Sequence, residues 1–248
     1  MTGDSGDSNQ QPPQLETRTS MAADEAQSEM TELIRKIRSS HLTYLSEERL
    51  TRIARTCTEV ERKGIGGVFI EAGCALGGST ILISRAKRQE RRFEVYDLFE
   101  MIPPPGERDG PEAHERYAVI SAGRSSGIGA DRYYGYETDL LAKVIGSLDA
   151  FGVDLEKSTV NLIRGLLQET LRVSGPVAFA HIDVDWYEHV MTCLESIVPS
   201  LVVGGSIILD DYHDWSGCRE AANEFFSRTT GMFDIDDSSG ERHFTRRL

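Results

Sequence analysis

The chain has 248 residues, 39% of them hydrophobic and 27% charged, and carries a net charge of -13 at neutral pH. That length suits one large domain or two small ones, with the composition of an ordinary soluble globular protein. The acidity argues against a general nucleic-acid or anionic-membrane surface, because both reward basic patches, and it leaves open a metal cation, which carboxylate clusters favour.

The opening "MTGDSGDSNQQPPQLETRTS" has no basic start followed by an apolar run, so no signal peptide is expected. No segment approaches the roughly 18 uninterrupted apolar residues of a membrane span. Cys57, Cys74, Cys193 and Cys218 are widely separated and form no CxxC pair. This points away from a disulfide framework or zinc site and towards a reducing, cytoplasmic compartment.

Residues 1–25, rich in Ser, Gln, Pro, Asp and Gly, are expected to form a disordered tail. Over 26–63, Leu33, Ile34, Ile37, Leu42, Leu45, Leu50, Ile53 and Ala54 recur at helical spacings. They predict a two-helix arm or cover, its second helix opened by Ser46 with Glu47 and Glu48 in the first turn. This arm is also the candidate element for a homodimer.

Residues 64–248 then alternate. Strands are predicted at "GGVFIEAG" (66–73), "RFEVYD" (92–97), "TVNLIRG" (159–165), "VAFAHID" (177–183) and "GGSIILDD" (204–211). Helices are predicted at 79–87, 186–198 and 216–228, and "GMFDID" with "RHFTRRL" reads as a hairpin around Ser238, Ser239 and Gly240. The result is an α/β domain with a mainly parallel sheet, helices on both faces and an antiparallel hairpin at its C-terminal edge. The insertion at about 101–136 breaks the rhythm with Pro103, Pro104, Pro105 and the tyrosines Tyr117, Tyr133, Tyr134 and Tyr136. Its aromatics favour a lid over a disordered loop.

The first strand runs into "EAGCALGGST". A dinucleotide fingerprint needs glycines at 71, 73 and 76, where this chain has Glu71, Gly73 and Leu76. A carboxylate at 71 would repel a pyrophosphate but attract a cationic ligand. S-adenosylmethionine fits, with its sulfonium, its amino group and no phosphate. Asp97, ending the second strand, is placed to take ribose hydroxyls, although an acid there serves NAD equally well.

Two further strands end in acids, "HIDVDWYE" in Asp183 and Asp185 and "ILDDYHD" in Asp210 and Asp211. In a parallel sheet both ends lie on the face of the glycine turn. Three clustered carboxylates, Asp183, Asp210 and Asp211, would repel one another unless they share a proton or a divalent cation. All-oxygen ligands favour Mg2+. The competing reading is that these acids cap the helices that follow. Asp185 is the candidate general base, with His189 and His213 as rivals. Trp186, Tyr187, Tyr212 and Trp215 flank the cluster as candidate pocket walls.

Together these residues resemble the macrocin-type O-methyltransferases, S-adenosylmethionine-dependent enzymes acting mostly on sugar hydroxyls of natural products and glycans. The matching pieces are "GVFIEAGCALGGST", "VYDLFEMIPPP", "LIRGLLQETL", "HIDVDWYE" and "GGSIILDDYHDWSGCREAANEFF", in order over roughly 66–228. The D-x-D-x-Y stretch followed by G-G-x-x-x-x-D-D-Y-H is the most specific part. The resemblance implies a Rossmann-like class I methyltransferase fold of seven strands and dependence on Mg2+. The cofactor is then expected at Glu71, Gly73, Ser79, Thr80, Asp97, Gly165 and Asp183, the metal at Asp183, Asp210 and Asp211, and the base at Asp185. Leu98, Met101 and Leu166 depart from the family pattern. The expected acceptor is a hydroxyl of a saccharide or glycosylated metabolite. Rival readings are a methyltransferase of catechols or phenols, an NAD(P)-dependent reductase, and a non-catalytic binding protein with the same fold.

Overall fold

Residues 14–247 are described by a computed structural model. Its strands are β1 (Val68–Ala72), β2 (Phe93–Asp97), β3 (Val160–Arg164), β4 (Val177–Ile182), β5 (Leu201–Leu209), β6 (Phe233–Asp236) and β7 (Arg242–Arg246). They form one sheet in the order β3-β2-β1-β4-β5-β7-β6. The first five are mutually parallel, while β7 runs antiparallel to β5 and to β6. This is the seven-stranded sheet with an antiparallel edge hairpin that the sequence implies.

The helices are α1 (Gln14–Ser39), α2 (Glu47–Arg62), α3 (Gly78–Ala86), α4 (Pro111–Ser121), α5 (Leu140–Ala150), α6 (Leu167–Thr170), α7 (Tyr187–Ile197) and α8 (Ser216–Ser227). Alternate strand residues face opposite layers. Phe69, Phe179 and Ile208 pack on Ile37, Leu50, Ile53, Leu82 and Val144 from one helical layer. Ile70, Ala180, Ile182 and Ile207 pack on Val190, Leu194, Ile197 and Ala221 from the other. The N-terminal helices are therefore part of the core on the first face.

α2 begins where the sequence predicts it, with Ser46 Oγ accepting a hydrogen bond from the Arg49 N–H at 3.1 Å. α1 starts earlier than expected. Residues 14–25 are helical, and only 1–13 of the expected tail fall outside the described residues. After Pro13 the chain carries no proline up to Ser39 and is rich in the helix formers Ala, Glu and Gln. α4 lies inside the insertion, and α5 is the crossover between β2 and β3. All four cysteines are buried and unpaired. Among the described residues no helix is long and apolar enough to cross a membrane.

Candidate active site

β1 and β4 are neighbours, but the chain leaves β1 towards β2 and leaves β4 towards β5. Loops departing in opposite directions open a crevice at the carboxyl ends of the two strands. A cavity of about 350 Å³ lies there, a volume suited to a small ligand. Gly73, Asp97, Gly165, Asp183, Asp185, Asp210 and Asp211 all line it. Glu71, Ser79 and Thr80, also expected to touch the cofactor, do not line this cavity and are buried.

Glu71 has two partners inside the protein. Its Oε2 accepts from the Thr80 hydroxyl at 2.5 Å, and its Oε1 lies 3.0 Å from His181 Nδ1. Glu71 and His181 stand side by side in the register of β1 and β4, so their side chains share one face. Burial opposes a charge on the imidazole, but the Glu71 carboxylate outweighs it and holds His181 above its ordinary value. These two bonds tie the end of β1 to α3 and to β4 from behind the turn.

Asp97 both lines the cavity and shapes it. Its Oδ2 accepts from the N–H groups of Cys74 at 2.7 Å and Ala75 at 3.2 Å, and its Oδ1 from Phe99 N–H at 2.6 Å. It thus pins the loop after β1 to the loop after β2. Burial raises its carboxyl, against the opposing effect of these donors. Ala75, Phe99 and Asp185 all adopt positive φ, at 45°, 53° and 56°. Such backbone persists where the surroundings over-determine it, and it gathers at ligand sites.

Asp183, Asp210 and Asp211 each offer an oxygen, and these atoms lie within 4.8 Å of one another. Burial first raises all three carboxyls; the charge of Asp211 adds to it at Asp183 and Asp210, and the charge of Asp185 adds to it at Asp211, which reaches about 8. Asp210 Oδ1 is buried without a hydrogen-bond partner. An orphaned oxygen beside two other carboxylates, with only oxygen donors, matches what a hard divalent cation requires. Asp185 borders the cluster through its backbone, its N–H donating to Asp211 Oδ2 at 3.0 Å. Withdrawal from water lifts its carboxyl to about 6, against a hydrogen bond from Trp215.

The rival bases separate. His189 lines the cavity, and burial lowers it. His213 is outside the lining and sits 3.9 Å from Asp237. The four aromatics divide likewise. Trp186 and Trp215 line the cavity and meet edge to face at 5.2 Å. Tyr187 and Tyr212 instead bond Glu224 and Asn223 of α8, at 2.8 and 2.7 Å.

The insertion covers the opening. Ile102, Pro103, Arg116, Ile120, Tyr133 and Tyr134 line the cavity from it, while Tyr44 reaches in from the loop between α1 and α2 and Arg49 from α2. Trp186 Nε1 donates to Pro103 O at 2.9 Å, while Asp109 Oδ1 accepts from Tyr187 N–H at 2.8 Å. Arg116 and Arg49 carry no sequence signal as site residues, since each sits in a helix rich in charged side chains. The helix holding Arg116 does show a start signal in Gly110 followed by Pro111 at its first position.

A parallel sheet opened between β1 and β4, a glycine turn and a strand-end acid define the class I methyltransferase architecture. The chain matches the family model of macrocin O-methyltransferases over residues 10–239 and belongs to that S-adenosylmethionine-dependent family. It is 27% identical over 205 residues to 8-demethyl-8-(2,3-dimethoxy-alpha-L-rhamnosyl)-tetracenomycin-C 4'-O-methyltransferase of Streptomyces olivaceus, covering 80% of this chain and 71% of the relative. It is also 27% identical over 207 residues to demethyldecarbamoylnovobiocin O-methyltransferase of Streptomyces niveus, covering 79% and 70%. The fold is similar to that of the O-methyltransferase NovP, with a TM-score of 0.68 and 23% identity over 84% of this chain and 83% of that one.

Proposed function

We propose that the chain is a Mg2+-dependent O-methyltransferase acting on a hydroxyl of a saccharide or glycosylated metabolite. The observation that carries this reading is the convergence of Asp183, Asp210 and Asp211 within 4.8 Å beside Asp185, in a cavity floored by the glycine turn. The two Streptomyces relatives, one of them named for a rhamnosyl-tetracenomycin acceptor, support a glycosylated acceptor.

S-adenosylmethionine, when bound, supplies an electrophilic methyl group. Gly73, Gly165 and Asp97 line the space that would receive it. Mg2+ would be held by Asp183, Asp210 and Asp211, where it supplies Lewis-acid polarisation of a hydroxyl. Asp185 accepts the hydroxyl proton, and its raised carboxyl is matched to that task near neutral pH. Tyr44, Tyr134 and Trp215 line the cavity with partly exposed rings, flat surfaces on which a sugar or an attached ring rests. The straps through Pro103 and Asp109 hold the cover in place and exclude water.

The reading is tested by calorimetric titration of S-adenosylhomocysteine and Mg2+, separately and together, followed by an acceptor screen. Binding of both, with the metal site abolished in Asp210→Asn, is expected. Methylation of catechols but of no glycoside would move the assignment to the phenolic class. Absence of both binding events would overturn it.

A further inference from the structure

Resting on the metal reading above, we infer that Arg49 is a positioning residue that restricts Asp210 to a single ligating oxygen and thereby makes the cluster selective for Mg2+ over Ca2+. Arg49 comes from α2, far from the strand ends in sequence, yet its guanidinium is fixed on three sides. One terminal nitrogen donates to Asp210 Oδ2 at 2.7 Å, and the other donates to Asp214 Oδ2 at 2.8 Å and Gly240 O at 2.9 Å. The planar fork cannot leave Asp210 without losing its anchors on the hairpin turn and on Asp214.

The consequence lies in what Asp210 has left. Its side chain is 3% exposed, Oδ2 is taken by Arg49, and Oδ1 is buried with no partner. Asp211 is similarly engaged, since its Oδ2 accepts the Asp185 N–H at 3.0 Å. Ca2+ readily takes both oxygens of one carboxylate in a large, irregular shell, whereas Mg2+ demands a tight octahedron of single oxygens. Carboxylates held to one oxygen each favour the smaller ion.

The test is calorimetric titration of MgCl2 and CaCl2 into the full chain saturated with S-adenosylhomocysteine, for wild type, Arg49→Gln and Arg49→Lys. Folding and cofactor affinity are followed for each. Arg49→Gln frees Asp210 for bidentate ligation, and the ratio of Ca2+ to Mg2+ affinity is expected to rise about tenfold. Arg49→Lys keeps the charge but not the fork, so its ratio is expected between the two. If Arg49→Gln does not fold, the lysine variant alone decides. A ratio unchanged in whichever variants fold overturns the inference while leaving the metal reading intact. Wild-type protein that binds neither cation overturns both.

Discussion

A β-carbon built on Gly73 would stand 1.8 Å from the carbonyl oxygen of Asp183. The turn that ends β1 and the first cluster carboxylate after β4 are thus in backbone contact, and Asp183 N–H returns a hydrogen bond to Ala72 O at 2.9 Å. Gly73 also holds φ at 83°, where side chains are strained. Gly73→Ala must therefore push the two strand ends apart. We expect a loss of about 1–3 kcal/mol from the backbone alone, with more from the clash. S-adenosylhomocysteine affinity should fall at least about tenfold, as a displacement of this size also moves Asp183. Urea unfolding and calorimetry of the variant check both effects, and wild-type affinity would show that the contact relaxes harmlessly.

The parts of this site that were legible in the sequence share a physical cause. Strand ends in a parallel sheet all finish on one face, so an acid closing an apolar run is placed by topology alone. Asp97, Asp183, Asp185, Asp210 and Asp211 all line the crevice for that reason. Glu71 closes its strand too but lies outside the cavity lining, because alternation decides whether a strand residue faces the crevice or a helical layer, and the sequence does not say which. Its partner His181 lies 110 residues further on, a pairing that only the register of β1 and β4 creates. α5 escaped notice although Asp139 caps it and Leu140, Val144 and Leu148 repeat every four residues. Arg49 is unreadable, since one of four arginines in a helix that also holds four glutamates carries no mark of where its guanidinium ends.

The brace role of Glu71 separates from a ligand role by stability. Glu71→Gln breaks a fully buried pair, and losses of about 3–5 kcal/mol are typical. Because His181 is held above its ordinary 6.5 in the folded state, the pair contributes fully below that pH and loses its contribution as pH rises through the folded value. The destabilisation should thus be larger at about pH 5.5 than at about pH 9 in urea melts. A variant with normal stability but lost cofactor binding would return Glu71 to the ligand role.

The carboxylate cluster predicts a pH dependence whose direction Mg2+ reverses. Asp183, Asp210 and Asp211 are raised in the fold, Asp211 to about 8. The folded state then binds more protons than the unfolded one, so metal-free stability falls as pH climbs from the ordinary carboxylate range towards those values. A bound cation requires the deprotonated groups and should reverse the trend, with proton release on binding. Thermal melts from about pH 4 to about pH 8, with Mg2+ and with chelator, give the comparison. Parallel curves in the two series would count against a metal at this cluster.

Asp185 offers the sharpest test of mechanism because its backbone and its carboxylate do different jobs. The backbone sits at φ 56° and donates its N–H to Asp211, and asparagine tolerates that left-handed conformation as well as aspartate does. Asp185→Asn should therefore preserve the loop, the cluster geometry and cofactor affinity. Only the proton acceptor is lost, and turnover should drop by about 10²–10⁴. Asp185→Ala removes the acceptor and strains the turn, so metal affinity should weaken as well. His189→Asn supplies the contrast. Its imidazole lines the same cavity, and if it were the base, its variant would lose turnover while Asp185→Asn kept it.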